Sequence, residues 1–412
     1  MTVQALQLGL RANWQQFWLL VLVNAFVGAM VGLERTIVPQ IAAREFNLAS
    51  ISVTLSFIVS FGIVKALANL AAGRYADRVG RKPLLIAGWL VGLPVPLIVI
   101  AAPSWGWIVF ANMLLGINQG LCWSTTVIMK IDLVGTKERG RAVGLNEFSG
   151  YLAMALTTAA SGWIAAQTAL RPYPFYLGVV FALAGLLISS LLVRDTRSHV
   201  HHESILRGKL SSSGPLPFAA VFRRVSWQDR QFFSLSQGGL VNNLNDVVIW
   251  GLLPLMALKA QVPVDQAAAL GGLYLAVWGI SQLLMGPLSD RIGRKQLIVS
   301  GLGVQAVGIM LFAFTGGWLP WLGAAGLMGV GTGMAYPTLL AAVGDLASPE
   351  WRASAVGVYR LWRDSGYAAG AVLAGALGDS FNIRVAVLAI GLLTALAGGV
   401  AAVNLDEPLK RD

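Results

Sequence analysis

Gly73-Arg74-Tyr75-Ala76-Asp77-Arg78-Val79-Gly80-Arg81-Lys82 and Gly286-Pro287-Leu288-Ser289-Asp290-Arg291-Ile292-Gly293-Arg294-Lys295 are two versions of one decapeptide, 213 residues apart. The register continues without a gap. Gly116 and Gly120 fall on Gly329 and Gly333, Asp132-Leu133 on Asp345-Leu346, Arg139 on Arg352, and Ala142-Val143-Gly144 on Ala355-Val356-Gly357. A shift held over so long a stretch marks an internal duplication. The pieces retained in both halves are short charged turns and closely spaced glycines.

Around these turns the chain is apolar. Of 412 residues, 56% are hydrophobic and 12% charged, against about 45–50% and about 25% in soluble globular proteins. Too few charges remain to cover the surface of a soluble enzyme. The 47 glycines follow no fixed period, which excludes a collagen-like chain. The single cysteine, Cys122, excludes a disulfide framework and a cysteine metal site.

A helix needs about 20 apolar residues to cross a bilayer. Twelve such segments are expected. The first six are 15–42, 50–73, 84–103, 107–131, 141–168 and 174–193; the second six are 232–258, 266–288, 296–315, 319–343, 353–377 and 384–404. The fold class expected is an all-α polytopic membrane protein with two pseudo-symmetric six-helix bundles. The bundles occupy 1–193 and 232–412, with a polar central loop at 194–231. Met1 to Ala12 lacks the pattern of a signal peptide, so the first apolar run is expected to stay as a transmembrane segment.

With the N-terminus inside, 21 of the 30 lysines and arginines fall in cytoplasmic segments and four (Arg44, Arg171, Lys259, Arg384) on the opposite side. Positive residues are retained in the cytoplasm during insertion, so both termini are expected there, in an inner-membrane-type bilayer. The net charge of +11 is divided among short loops, which argues against a nucleic-acid partner.

The repeated G-x-x-x-D-R-x-G-R-K turn, the 6+6 duplication and the long central loop resemble the major facilitator superfamily. That resemblance implies two bundles rocking about a central midplane site. It also implies a charged latch at the turns: Asp77, Arg78, Arg81, Asp132 and Arg139, repeated as Asp290, Arg291, Arg294, Asp345 and Arg352. Within it, Arg81 would pair with Asp132 and Arg294 with Asp345, and the pairs would break as the bundles rock.

Five basic residues (Arg35, Lys65, Lys130, Arg360, Arg363) fall within the spans, although Lys130 reads as interfacial. Ionisable groups at that depth face a cavity or each other. Asp364 lies twelve residues beyond Arg352, about 18 Å deep; Arg360, four residues before it, shares its face. Glu147 falls on Arg360 under the shift of 213, so the two bundles can present them to one cavity. The proton-coupling candidates are Glu147, Asp364, Glu34 and Asp246. Lys65, Asn118, Gln119, Trp123, Asn146, Asn242, Asn243, Tyr336, Tyr359, Arg360 and Arg363 are the cavity candidates.

Glu34-Arg35-Thr36 is similar to the acidic first helix of drug–proton antiporters in the superfamily. Two positions depart from the family pattern. Asn112 stands where many members carry an arginine, and Gly144-Leu145-Asn146-Glu147 replaces the G-P-x-x-G-G of many antiporters. His199, His201 and His202 sit together in the central loop, a weak pattern for a transition metal, and no metal site is assigned. No H-E-x-x-H, Walker or nucleophile-elbow motif occurs, so an enzyme is not expected.

The function expected is secondary transport of a small solute by alternating access, as proton-coupled efflux of an organic solute. The alternatives are an anion transporter using the intramembrane arginines and lysine, transition-metal efflux, and a non-transporting receptor or scaffold. No cofactor is expected beyond the proton gradient. The partners are the solute and the lipid bilayer, and the chain is expected to be a monomer.

Overall fold

A computed structural model describes residues 8–134, 139–199, 216–347 and 351–407; the side chains of 73–78, 139, 140 and 353 lie outside the described set. The described residues form helices and no strands. In the first half these are α1 (Trp14–Gly32), α2 (Ile37–Arg44), α3 (Ile51–Val79), α4 (Arg81–Gly92), α5 (Pro94–Ala101), α6 (Trp105–Val134), α7 (Arg139–Gln167) and α8 (Tyr173–Leu191). In the second half they are α9 (Phe218–Arg223), α10 (Arg230–Leu244), α11 (Leu253–Lys259), α12 (Val264–Ile292), α13 (Arg294–Phe314), α14 (Trp318–Leu346), α15 (Arg352–Ser380) and α16 (Ile383–Asn404).

Nine stretches among the described residues are long and apolar enough to cross a membrane. The long helices α6, α7 and α15 are not among the nine, and they carry Asn118 and Gln119, Asn146 and Glu147, and Arg360 to Asp364. Outward-facing Leu191, Leu319 and Val403 are 75–80% exposed, as expected of side chains that meet lipid rather than water.

The duplication is visible in the packing. A Cβ on Gly116 would come within 2.8 Å of the Phe61 carbonyl oxygen, and one on Gly329 within 2.8 Å of the Tyr274 carbonyl oxygen. Phe61 and Tyr274 are themselves related by the shift of 213. Each bundle therefore seats one long helix on another, α6 on α3 and α14 on α12, through a glycine that lets backbones touch. Gly80 and Gly293 both turn with φ of +109°, a conformation that favours glycine. These turns define one face of the molecule, called here the loop face.

Two spans break at matching positions. The non-helical turn at 33–36 separates α1 from α2, and 246–249 under the shift of 213 is where α10 gives way to a π-helical turn at Val248–Leu252. Both breaks lie in the half opposite the loop face, and backbone freed there is tolerated because protein buries it.

The bundles meet at the far face and part at the loop face. Gly62 of α3 abuts Tyr367 and Ala368 of α15, and Gly375 abuts Ser52. On the second seam, Gly272 of α12 abuts Ala155 of α7. At the loop face Gly144, Gly286 and Gly357 have open space around them. The molecule is therefore open towards its charged turns and closed on the other side.

Candidate functional site

The opening at the loop face is a vestibule of about 690 Å³, reaching inwards to Glu147, Tyr336 and Arg360. Beyond it lies a small chamber lined by Lys65, Gln119, Trp123, Tyr151, Asn243, Arg363 and Tyr367 as well as the same three residues. Its free volume is about 30 Å³, room for about one or two waters. Glu147, Tyr336 and Arg360 thus stand at the junction of the two spaces.

A hydrogen-bonded chain runs through this junction and crosses between bundles twice. Trp123 Nε1 and Asn146 Nδ2 donate to Glu147 Oε1 at 2.8 and 3.1 Å. Tyr336, on α14 of the other bundle, donates its hydroxyl to Glu147 Oε2 at 3.1 Å and accepts from Arg363 Nη1 at 2.8 Å. Arg363 holds Asp364 Oδ1 through Nη2 at 2.6 Å. Asn69 of α3 donates to Asp364 Oδ2 at 2.6 Å and accepts from Ser124 at 2.7 Å. Charged and polar members in a low-dielectric setting couple strongly, so moving one member disturbs its neighbours.

Several sequence expectations are corrected here. Asp364 pairs with Arg363 rather than with Arg360. Glu147 reaches an arginine of the other bundle through Tyr336, without direct contact. Asn118 turns away from both spaces and donates to the Gly88 carbonyl at 2.9 Å. Asn146 also lies outside them, accepting from Lys130 Nζ at 2.5 Å. Lys130 is fully buried within the protein and donates to the Leu20 carbonyl as well. Tyr359 is packed against Gly239, away from the chamber, and Asn242 is buried outside it. Lys65, Gln119, Trp123, Asn243, Tyr336, Arg360 and Arg363 do line the chamber.

The far face is closed by contacts the sequence did not announce. Arg35 Nη2 lies 2.7 Å from Asp246 Oδ2, joining the two broken spans as a buried ion pair without straight hydrogen-bond alignment. The guanidinium also sits 4.7 Å from the Trp250 ring centroid. Trp250 in turn meets Phe61 edge-on at 4.9 Å, with Phe57 and Tyr367 beside it. Arg35 therefore serves Asp246 rather than its neighbour Glu34, which is buried and turned towards Asn112.

Nearer the far surface, Asp379 of α15 accepts from Ser50 Oγ at 2.8 Å and from the amides of Ile51 and Ser52 at 2.6 and 3.0 Å. Its carboxylate thus caps α3 of the opposite bundle, where orphan amides favour an anion. Slight burial pushes the group up, but the bonds from Ser52, Ile51 and Ser50 win and hold it at about 2.

At the loop face Arg81 Nε lies 3.2 Å from Asp132 and Arg294 Nε 3.0 Å from Asp345. Arg294 also pairs with Asp290 at 2.7 Å, while Arg352 Nε donates to the Ala347 carbonyl. Both arginine–aspartate pairs lie within one bundle and stand intact while this face is open. In this conformation each pair braces its own bundle. Arg291 is exposed; the side chains of Asp77, Arg78 and Arg139 lie outside the described residues. Two further braces carry no signal in the sequence. Asp195 accepts from the Lys82 amide at 3.0 Å, and Glu407 from the Arg294 amide at 2.8 Å, each just past the last span of its bundle. His199 Nε2 rests 3.3 Å from Asn13 Oδ1, while His201 and His202 lie outside the described residues.

Comparison with known proteins agrees with this architecture. The family profile of the Major Facilitator Superfamily matches residues 17–236 and again 235–412. The chain belongs to that superfamily, and is a secondary transporter rather than an enzyme. It is 26% identical over 307 residues to the class C tetracycline resistance protein of Escherichia coli, covering 70% of this chain and 71% of that one. It is 24% identical over 245 residues to a probable 4-methylmuconolactone transporter of Cupriavidus pinatubonensis, covering 58% and 54%. Among solved structures, the nucleoside transporter NupG superposes with a TM-score of 0.73 at 13% identity, covering 94% of this chain and 98% of that one. The inward-open xylose transporter XylE gives 0.72 at 16% identity, covering 95% and 96%.

Proposed function

We propose that the chain is a proton-coupled transporter that exports a small organic solute, with Glu147 as the proton-carrying carboxylate. The observation that carries this reading is the position of Glu147. It lines both the chamber and the vestibule, and it is hydrogen-bonded to both bundles. A carboxylate so placed meets protons and solute in one space. Protonation removes the charge on which Tyr336 and Trp123 converge, and weakens one tie between the bundles. Proton binding and bundle movement are thereby linked through one residue. Asp364 is a weaker candidate, because Arg363 and Asn69 already satisfy it.

The loop face is the cytoplasmic side in this reading, supported by the distribution of lysine and arginine. Both termini are then cytoplasmic and the membrane is an inner membrane. Residues 1–193 and 232–412 form the rocking units, and 194–231 joins them. The chamber is enclosed by one chain, which favours a working monomer. Export as the direction is supported by the likeness to a tetracycline resistance protein.

The test is transport into proteoliposomes with an imposed pH gradient, following both a radiolabelled solute panel and internal pH. Movement of solute with opposite movement of protons supports antiport. Solute movement indifferent to the gradient removes proton coupling.

A further inference from the structure

Four cations line the chamber: Arg35, Lys65, Arg360 and Arg363. Arg35 is matched by Asp246 and Arg363 by Asp364. Among the described residues, Lys65 and Arg360 have neither an ion pair nor a hydrogen bond. The Lys65 ammonium rests on ring faces, 5.3 Å from the Phe61 centroid and 5.0 Å from that of Tyr367, within the field of the Asp364 and Glu147 carboxylates. Arg360 Nε is buried with no acceptor, while the side chain as a whole is half-buried and borders the vestibule. The remaining carboxylate of the chamber, Glu147, is held by Trp123, Asn146 and Tyr336.

A cation at membrane depth without an ion-pair partner is expensive. Two such cations line one small space, one on α3 and one on α15, with aromatic rings making up much of the remaining wall. The four cations outnumber the three carboxylates Glu147, Asp246 and Asp364 by one, so the chamber favours an added anion. We infer that the solute is an organic anion, a carboxylate or its equivalent on a planar apolar body, whose charged group is received between Lys65 and Arg360. The chamber has room for the charged group alone, and Tyr336 with the apolar vestibule wall at Leu145, Leu283, Pro337 and Leu340 packs the body of the solute. Because Lys65 and Arg360 belong to different bundles, a bound anion draws the two together. Solute binding then favours closure of the open face by its differential contacts.

The inference rests on the reading of the chamber as the solute site, but its test uses binding alone. Purified protein in detergent, with no gradient, is titrated with benzoate, salicylate and phenylacetate. Benzylamine, benzyl alcohol and sodium sulfate serve as controls. Thermal stability and tryptophan fluorescence report binding. At least one of the three carboxylates is expected to bind saturably, with the amine, the alcohol and sulfate at least about tenfold weaker. Lys65→Met and Arg360→Met each weaken carboxylate binding about tenfold or more, while Lys65→Arg and Arg360→Lys, which keep the charge, recover most of it.

Failure of all three carboxylates to bind overturns the inference, as does binding of the amine or alcohol equal to theirs. Sulfate matching the best carboxylate overturns the organic-anion assignment. Carboxylate binding unchanged in both methionine variants overturns the roles of Lys65 and Arg360. A transporter that fails to couple to protons still passes or fails this test on charge, so the two failures are distinguishable.

Discussion

Tyr336 and Glu147, 189 residues apart in the chain and on opposite bundles, share a hydrogen bond of 3.1 Å at the junction of the vestibule and the inner chamber. Tyr336 is at the same time the acceptor for Arg363. One hydroxyl thus connects the charge of one bundle to that of the other. If this bond transmits the protonation of Glu147, then Tyr336→Phe and Glu147→Gln act on one event. Each substitution is expected to lower coupled transport. The double variant is expected to be little worse than Glu147→Gln alone, a coupling of about 1.5–3 kcal/mol in a double-mutant cycle. Additive losses would show that the two residues act separately.

Arg35 and Asp246 close the far face as a buried pair. Removing one partner strands the other in a low dielectric, at a cost of about 3–5 kcal/mol. Arg35→Met is therefore expected to lower the melting temperature markedly. Arg35→Met combined with Asp246→Leu is expected to recover most of the loss, because neither charge is then stranded. Thermal unfolding of the single and double variants in detergent decides this. Equal destabilisation by both would mean that the charge pair is not what matters there.

Asp379 gives a pH prediction with a definite sign. Its carboxyl is held at about 2, below the ordinary value of 3.8. The capping contact therefore contributes fully above about pH 4 and is lost as pH falls through about 2. Its charge is constant over the range in which transport is assayed. Asp379→Asn is expected to weaken closure of the far face without moving the pH dependence of transport between about pH 5 and 8. A shifted profile in that variant would show that Asp379 takes part in titration.

Gly116 and Gly329 make matched close approaches: a side chain's Cβ at either position would lie 2.8 Å from a carbonyl oxygen of the facing helix. Gly116→Val and Gly329→Val are expected to destabilise by similar amounts, about 1–3 kcal/mol or more for overpacking against backbone. Thermal shifts of the two variants check the equivalence. A large effect in one bundle and none in the other would mean that the duplication does not extend to packing.

The scaffold is legible because two signals reinforce each other: apolar segments of spanning length, and a decapeptide repeated at a fixed distance. The same shift of 213 places Glu147 opposite Arg360 and Trp123 opposite Tyr336, and all four line the chamber. The face presented by each polar residue is harder to read. A bundle helix is apolar towards lipid as well as towards its neighbours, so little periodicity distinguishes the cavity side. Asn118, Asn146 and Tyr359 sit at the expected depth but turn into their own bundles. Asn69 is absent from the candidates read from the sequence, although it lies four residues after Lys65 on the same helical face, a spacing that could have identified it. Arg35–Asp246 and Asp379–Ser50 join positions far apart in sequence, and no local pattern announces such contacts.

The most direct test of proton coupling is a pair of fluxes in proteoliposomes containing either the unaltered protein or Glu147→Gln. An outward solute gradient is imposed and internal pH is followed as the solute leaves. With Glu147 as the proton carrier, the unaltered protein acidifies the lumen as solute exits. The glutamine variant exchanges labelled for unlabelled solute across the membrane but moves no protons. Proton movement that persists in Glu147→Gln, in step with solute, would contradict the assignment.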